Sequence, residues 1–358
     1  MKFIHLTLWA TLWLVLLGPT NALADITLRV SIKFFTDING VLPQVDLNRG
    51  PTSGVDTAQE LAQWLVDGCN DSPDVAGRGY RYILAENAIA LPSTLSSWYN
   101  LDTRTGSAKG DLEAAAVAAP ATYSYRSNAI NIYVNNFPTS GSCSRPDGTM
   151  TFLGRDLYRA LLAHEMGHFF DLCHTQGCQC NGTSDTVPGD TICRTVPGSD
   201  SLADTLNDLD TWTVDVIASF NFGLNYSQIN AGQRFLVDMT YQNLMSYHLG
   251  DNLPNGAANP YNRLTDDQLD VFTNAANNDR PAVSSGRTWF TSLSGNDAVG
   301  NGLRSSMQLR TVGAATNAVT SADDVVLLQN GTYLVPASGT IATRCTLRAT
   351  RGPVTIIR

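Results

Sequence analysis

The sequence predicts an α+β fold, a mixed domain over residues 25–280 followed by a smaller β-rich module over residues 281–358. Three observations carry this expectation. Ile26, Leu28, Val30, Ile32 and Phe34 alternate with Thr27, Arg29, Ser31 and Lys33, the period of a half-buried strand. Capping boxes at Thr57-Ala58-Gln59-Glu60 and Thr265-Asp266-Asp267-Gln268 each open a run with helical apolar spacing. Beyond Pro281 helix-period segments give way to short β-rich pieces separated by turn residues such as Gly300-Asn301-Gly302 and Asn330-Gly331.

Taken in order, the chain begins with Lys2, an apolar run from Leu6 to Leu17, Gly18-Pro19 and Ala22-Leu23-Ala24. This is the layout of a secretory signal peptide over residues 1–24, with a mature start at Asp25. The run is too short to span a bilayer, and no later stretch is long and apolar enough to do so. The expectation is a secreted, extracellular protein. After the first strand, Leu61, Trp64, Leu65 and Cys69 mark an amphipathic helix. Residues 101–120 are rich in Gly, Ala and charge, and they precede a strand in which Ile130, Ile132 and Val134 alternate with Asn131, Tyr133 and Asn135. A helix is expected from about Arg155 to Phe170. Residues 178–200 are loop-like, and a last helix with Leu269, Val271 and Phe272 frays at Asn277-Asn278.

With 358 residues the chain can bury one large or two medium cores. A net charge of −9 with three lysines and no basic cluster argues against nucleic acid as a partner. All seven cysteines lie after the leader, and six of them precede residue 200, which in an exported chain allows up to three disulfides with Cys345 left over.

The chemistry concentrates in His164-Glu165-Met166-Gly167-His168-Phe169-Phe170-Asp171-Leu172-Cys173-His174. On a helix, His164 and His168 share a face one turn apart, with Glu165 on the adjoining flank. Both imidazoles can then bind one zinc ion while the carboxylate reaches a water on it. A chain reversal brings in His174, and three protein ligands leave the fourth tetrahedral position open, as in catalytic zinc sites. The competing reading is an amphipathic core helix with two satisfied histidines. Few other ligands are on offer, since the remaining histidines are His5 and His248. Bound zinc lowers the pKa of water toward neutrality, and Glu165 is placed to take its proton. Asp185 and Asp190, in the 178–200 loop, offer the oxygens that calcium takes, although ordinary solvated turn residues look the same.

No glutamate follows Glu165, which closes the option of a downstream Glu ligand. The segment from His164 to His174 resembles the extended HExxHxxGxxH motif of the metzincin zinc proteases, and Asn243-Leu244-Met245-Ser246-Tyr247 resembles their methionine turn. Within the metzincins the chain is most similar to the pappalysin family, through the zinc motif, SDTVPGDT at 184–191, NLMSYH at the turn and NAINIYVNNF at 128–137, which resembles that family's substrate-binding edge strand. The resemblance covers roughly residues 25–280. It implies a mixed sheet with an antiparallel edge strand that takes extended peptide or protein substrate by strand addition, and a zinc helix. It also implies that Met245 forms a hydrophobic base beneath the metal and that Tyr247 stabilises the reacting centre. One departure stands out: Asp171 replaces the family glycine where the chain must reverse.

The last 78 residues resemble the opening coils of a right-handed parallel β-helix of extracellular polysaccharide-active or surface proteins, which implies contact with glycan or a cell surface. The leading expectation is a secreted zinc endopeptidase. The alternative is a surface adhesion or glycan-binding protein with a non-proteolytic metzincin scaffold.

Overall fold

The computed structural model describes residues 25–45, 57–103, 106–138, 142–144, 150–175, 202–209, 211–248, 251–284, 286–300, 302, 308–335, 341–349 and 353–357. The predicted leader, Asp185, Asp190, Cys178, Cys180 and Cys193 lie outside the described residues. Among the described residues no helix is long and apolar enough to cross a membrane.

The first half alternates strands and helices: β1 (Asp25–Phe34), α1 (Ala58–Cys69), α2 (Pro73–Gly77), β2 (Tyr80–Leu84), β3 (Ile89–Ala90), α3 (Gly106–Ala118), β4 (Ile130–Val134), β5 (Ser142–Ser144), β6 (Met150–Leu153) and α4 (Leu161–Phe169). Then come α5 (Val214–Phe222), α6 (Ala231–Tyr241) and α7 (Asp266–Asn274), which runs on as a π-helical turn over Ala275–Asp279. The chain closes with β7 (Arg287–Thr291), α8 (Val312–Ala318), β8 (Val325–Leu328), β9 (Gly331–Leu334), β10 (Thr346–Ala349) and β11 (Val354–Ile357). Both predicted capping boxes form, Thr57 with Glu60 and Thr265 with Gln268, and a third joins Asn230 to Gln233 ahead of α6.

Strand β1 organises a nine-stranded mixed sheet. Parallel β4 and antiparallel β7 share one of its edges, while β2 and β3 pair along the other. Beyond β4 come parallel β6 and, antiparallel at the end of the order, β5. This corrects the edge-strand expectation for residues 128–137. Strand β4 is internal, bonded to β1 and β6, and all five of its residues are buried; the antiparallel edge strand is β5.

Both sheet faces are covered, so β1 is buried from Thr27 to Phe34 rather than on one side. Leu28, Val30, Ile32 and Phe34 pack with α1, α4 and α7, while Tyr133, Met150 and Phe152 pack with Leu112 and Ala116 of α3 on the opposite face. The polar face of β1 is buried because each group finds a partner. Thr27 meets Thr288 at 2.8 Å, Arg29 donates to the carbonyls of Asn128 and Ala282 at 2.8 Å each, Ser31 bonds Glu86, and Lys33 donates to Asn131 Oδ1 at 2.5 Å. Burial pulls the Lys33 ammonium down to about 7, against the opposing pull of Glu86.

The C-terminal strands join this sheet. Asp25 and Ile26 pair with Thr288 and Arg287, and Ile83 of β2 packs against Phe290, Val325 and Leu327. Parallel pairing sets Thr346 on Val325 and Val354 on Gly331, so β10 and β11 lie in register on β8 and β9. The module also holds a short helix that hydropathy did not reveal: α8 has only seven residues and is capped by the Thr311 hydroxyl on Ala314 N at 3.1 Å.

Candidate active site

The zinc-motif helix is shorter than its sequence pattern. Residues 155–160 are not helical, and α4 begins at Leu161 without a side-chain cap. The preceding segment is held instead by α1 and the turn after it: the Arg159 carbonyl sits where a Cβ on Gly68 would be, and the Arg159 guanidinium pairs with Asp71. Helix α4 is buried along its whole length, including His164, Glu165 and His168.

Its end is a Schellman turn. Asp171 N donates to His168 O at 3.0 Å and Leu172 N to Gly167 O at 2.9 Å, with Asp171 in the left-handed region at φ 66°. Aspartate visits that region at modest cost, and here its carboxylate is also engaged. Arg280 donates to Asp171 Oδ1 at 2.9 Å and Oδ2 at 3.1 Å, while its guanidinium lies 5.1 Å from the Phe169 ring centroid. An ion pair thus does part of what glycine's freedom does in the related motif. Sequence reading did not single out Arg280, because the pair spans more than a hundred residues.

The reversal places His174 beside the helix. His174 Nε2 lies 3.0 Å from His164 Nε2 and 2.9 Å from His168 Nε2, and these three buried residues form a cluster suited to a metal ion. Nitrogens on a tetrahedral zinc stand about 3.3 Å apart, within a few tenths of an ångström of this spacing. The back nitrogens decide the tautomers. His164 Nδ1 faces the Leu244 carbonyl at 2.6 Å and His168 Nδ1 the Leu172 carbonyl at 2.8 Å. A carbonyl only accepts, so both rings carry their proton on Nδ1 and turn an Nε2 lone pair toward the common point. His174 Nδ1 has the Tyr247 hydroxyl at 3.2 Å and can donate to it in the same way. Burial, with His168 nearby, pulls the His164 imidazole down to about 3, the Leu244 bond opposing; burial and the neighbouring histidines hold His174 well below its ordinary range. Neutral imidazoles are the form a metal takes. The donor set therefore fits zinc.

The segment of residues 243–248 packs against α4. Met245 N donates to Asn243 Oδ1 at 2.8 Å, and its carbonyl accepts from Thr175 N at 3.1 Å, tying this segment to the residue after His174. The Met245 side chain is fully buried, and its Sδ would lie only 2.2 Å from a Cβ on Gly167. Glycine inside the HExxH helix thus makes room for the methionine. Tyr261, also fully buried, donates to Ser246 O and stands 3.3 Å from His164 Nδ1. Behind His174, Thr175 donates to Asp208 Oδ2 at 3.1 Å, and Asp208 Oδ1 meets His248 Nε2 at 2.9 Å.

His164, His168 and His174 are thus brought to one point, with Glu165 buried on the same helix, while Met245, which the family resemblance implied, packs at Gly167 of that helix. The Tyr247 hydroxyl reaches the back nitrogen of His174. Residues 127–248 match the peptidase family model described as Pregnancy-associated plasma protein-A. The match supports a metzincin-like metalloprotease. It points to a metallopeptidase acting on peptide or protein substrates, and the buried histidine triad can bind the metal such an enzyme needs. No curated protein and no solved structure matches the chain.

Among the described residues Cys69 and Cys345 are unbridged; Cys345 was left over in the sequence count, and without Cys69 at most two of the up to three disulfides remain. Cys69 is buried inside the apolar core between α1 and the sheet, where burial pushes its thiol well above the ordinary range. Cys173, next to the third histidine, is disulfide-bonded.

Proposed function

We propose that this protein is a secreted zinc endopeptidase in which His164, His168 and His174 hold the metal and Glu165 is the general base. The observation that carries the reading is the convergence of three Nε2 lone pairs, each ring oriented from behind, next to a buried carboxylate. Zinc bound there supplies a Lewis acid that lowers the pKa of water and polarises a peptide carbonyl. Glu165 takes a proton from the attacking water and delivers it to the leaving amide nitrogen as the C–N bond breaks. Tyr247 holds the His174 ring through Nδ1, and Met245 supports the helix from below. Extended substrate pairs with β5, which ends the sheet order and lies against α4.

The leader at residues 1–24 directs the chain out of the cytoplasm, and residues 281–358 form an accessory module. The register of β10 on β8 and β11 on β9 supports reading that module as the first coils of a parallel β-helix.

The test is cleavage of denatured casein by the mature chain, with and without a zinc chelator, beside the variant Glu165→Gln. We expect chelator-sensitive cleavage in the wild type. The variant should keep its zinc and lose at least about a hundredfold in rate. Unchanged cleavage by Glu165→Gln refutes the assigned base, and zinc-loaded protein without activity refutes the peptidase.

A further inference from the structure

A cavity of about 310 Å³ lies away from the histidines, between α1 and β2 on one side and the C-terminal strands on the other. Its polar lining includes Arg81, Arg348, Gln63, Gln308 and Thr291, with Asp67 as its single carboxylate against two guanidinium groups. Phe290, Ile83 and Leu327 supply an apolar wall. Two buried groups at this wall lack partners: Arg81 Nε and the hydroxyl of Thr291, a residue only 1% exposed. Buried polar groups are paired in the great majority of cases, so two orphans beside one cavity single out this wall as unusual.

The chemistry of that ligand follows from the lining. A guanidinium has five donors and no acceptor, and Arg81 is held over Phe290, 5.0 Å from the ring centroid, leaving its Nε edge uncommitted. Arg348 contributes a second guanidinium whose protein contact is a long bond to the Glu86 carbonyl at 3.4 Å. Burial lowers both arginines, and the carboxylates that pull back are Asp25 and Asp67 for Arg81 and Glu86 for Arg348. Neither arginine forms a direct ion pair among the described residues. A carboxylate, being acceptor-only and planar, answers such a surplus of forked donors. The volume and the apolar wall call for a carbon skeleton, more than a bare inorganic anion fills. We propose that this cavity binds a small organic carboxylate, its carboxyl group on Arg81 and Arg348 and its body against Phe290 and Leu327.

The test is calorimetric titration of the full chain with glucuronate, an acidic sugar, and with N-acetylglutamate, an amino-acid carboxylate. The methyl ester of each acid and inorganic phosphate serve as controls. Saturable binding of at least one acid is expected, lost in its ester, and weakened at least about tenfold in Arg81→Gln and in Arg348→Gln. A preference for glucuronate assigns the site to acidic sugars, and the reverse assigns it to amino-acid carboxylates. Should a glutamine variant not fold, Arg81→Lys and Arg348→Lys, which keep the charge and lose the fork, are expected to bind several-fold more weakly. No saturation by either acid overturns the proposal. So does phosphate or an ester binding as tightly as the acid, or variants with unchanged affinity.

Discussion

Replacing Asp171 by glycine should destabilise this protein, although glycine suits the backbone there better. At φ 66° most L residues incur about 1–2 kcal/mol, and aspartate less, so the relief offered by glycine is at most about 1 kcal/mol. Against it stands the bidentate pair with Arg280, whose side chain is 11% exposed against 33% for Asp171. Exposed pairs contribute about 0–1 kcal/mol, and breaking a buried one costs about 3–5 kcal/mol, which places this half-buried pair at about 1–3 kcal/mol. The pair outweighs the strain, so Asp171→Gly should lose about 0.5–2 kcal/mol. Asp171→Ala, which keeps the strain and loses the pair, should lose about 2–4 kcal/mol. Denaturant unfolding of the chelator-treated full chain measures both. Arg280→Met keeps the packing on Phe169 and completes a double-mutant cycle, with an expected coupling of about 1–2 kcal/mol. A glycine variant as stable as the wild type, or a coupling below about 0.5 kcal/mol, would refute the argument.

Gly167→Ala gains about 0.5–1 kcal/mol of helix propensity but sets a methyl 2.2 Å from Met245 Sδ, where overpacking costs about 1–3 kcal/mol. A lowered denaturation midpoint is expected, and a raised one would mean that Met245 repacks freely. His248 supplies a pH signature. Burial alone depresses its pKa, but the Asp208 hydrogen bond and charge, with Asp251 behind them, raise it above the ordinary value. Its contribution to stability is therefore fully present below about pH 6.5 and is lost as pH rises through the higher folded value. The stability gap between wild type and His248→Gln should shrink from pH 6 toward pH 9; a gap independent of pH would show that His248 gains no proton affinity on folding.

Helices were legible where their signals are local. The Thr57 and Thr265 capping boxes lie within one turn of the helices they open, and the Asn230–Gln233 box before α6 was equally available to sequence reading. Strands β1 and β4 were legible as strands but not by position. Alternation in β1 and β4 suggests one wet face, yet a polar side chain can be buried when Asn131, Glu86 or a carbonyl waits opposite, and those partners are set by pairing. The family resemblance placed the edge strand at β4, while β5 holds that place.

The sequence by itself marked the candidate ligands: i to i+4 spacing on one helix and a third histidine past a turn single out His164, Glu165, His168 and His174. Only the tertiary structure decided how they are aimed. Leu244 and Leu172 fix two ring tautomers, Tyr247 orients the third, Met245 fits against Gly167, and Arg280 holds Asp171 in its left-handed turn. The choice of candidate ligands follows from covalent spacing, which the chain carries unfolded. Most of the aiming depends on groups dozens to more than a hundred residues apart, which meet only after the sheet and its packed helices have closed.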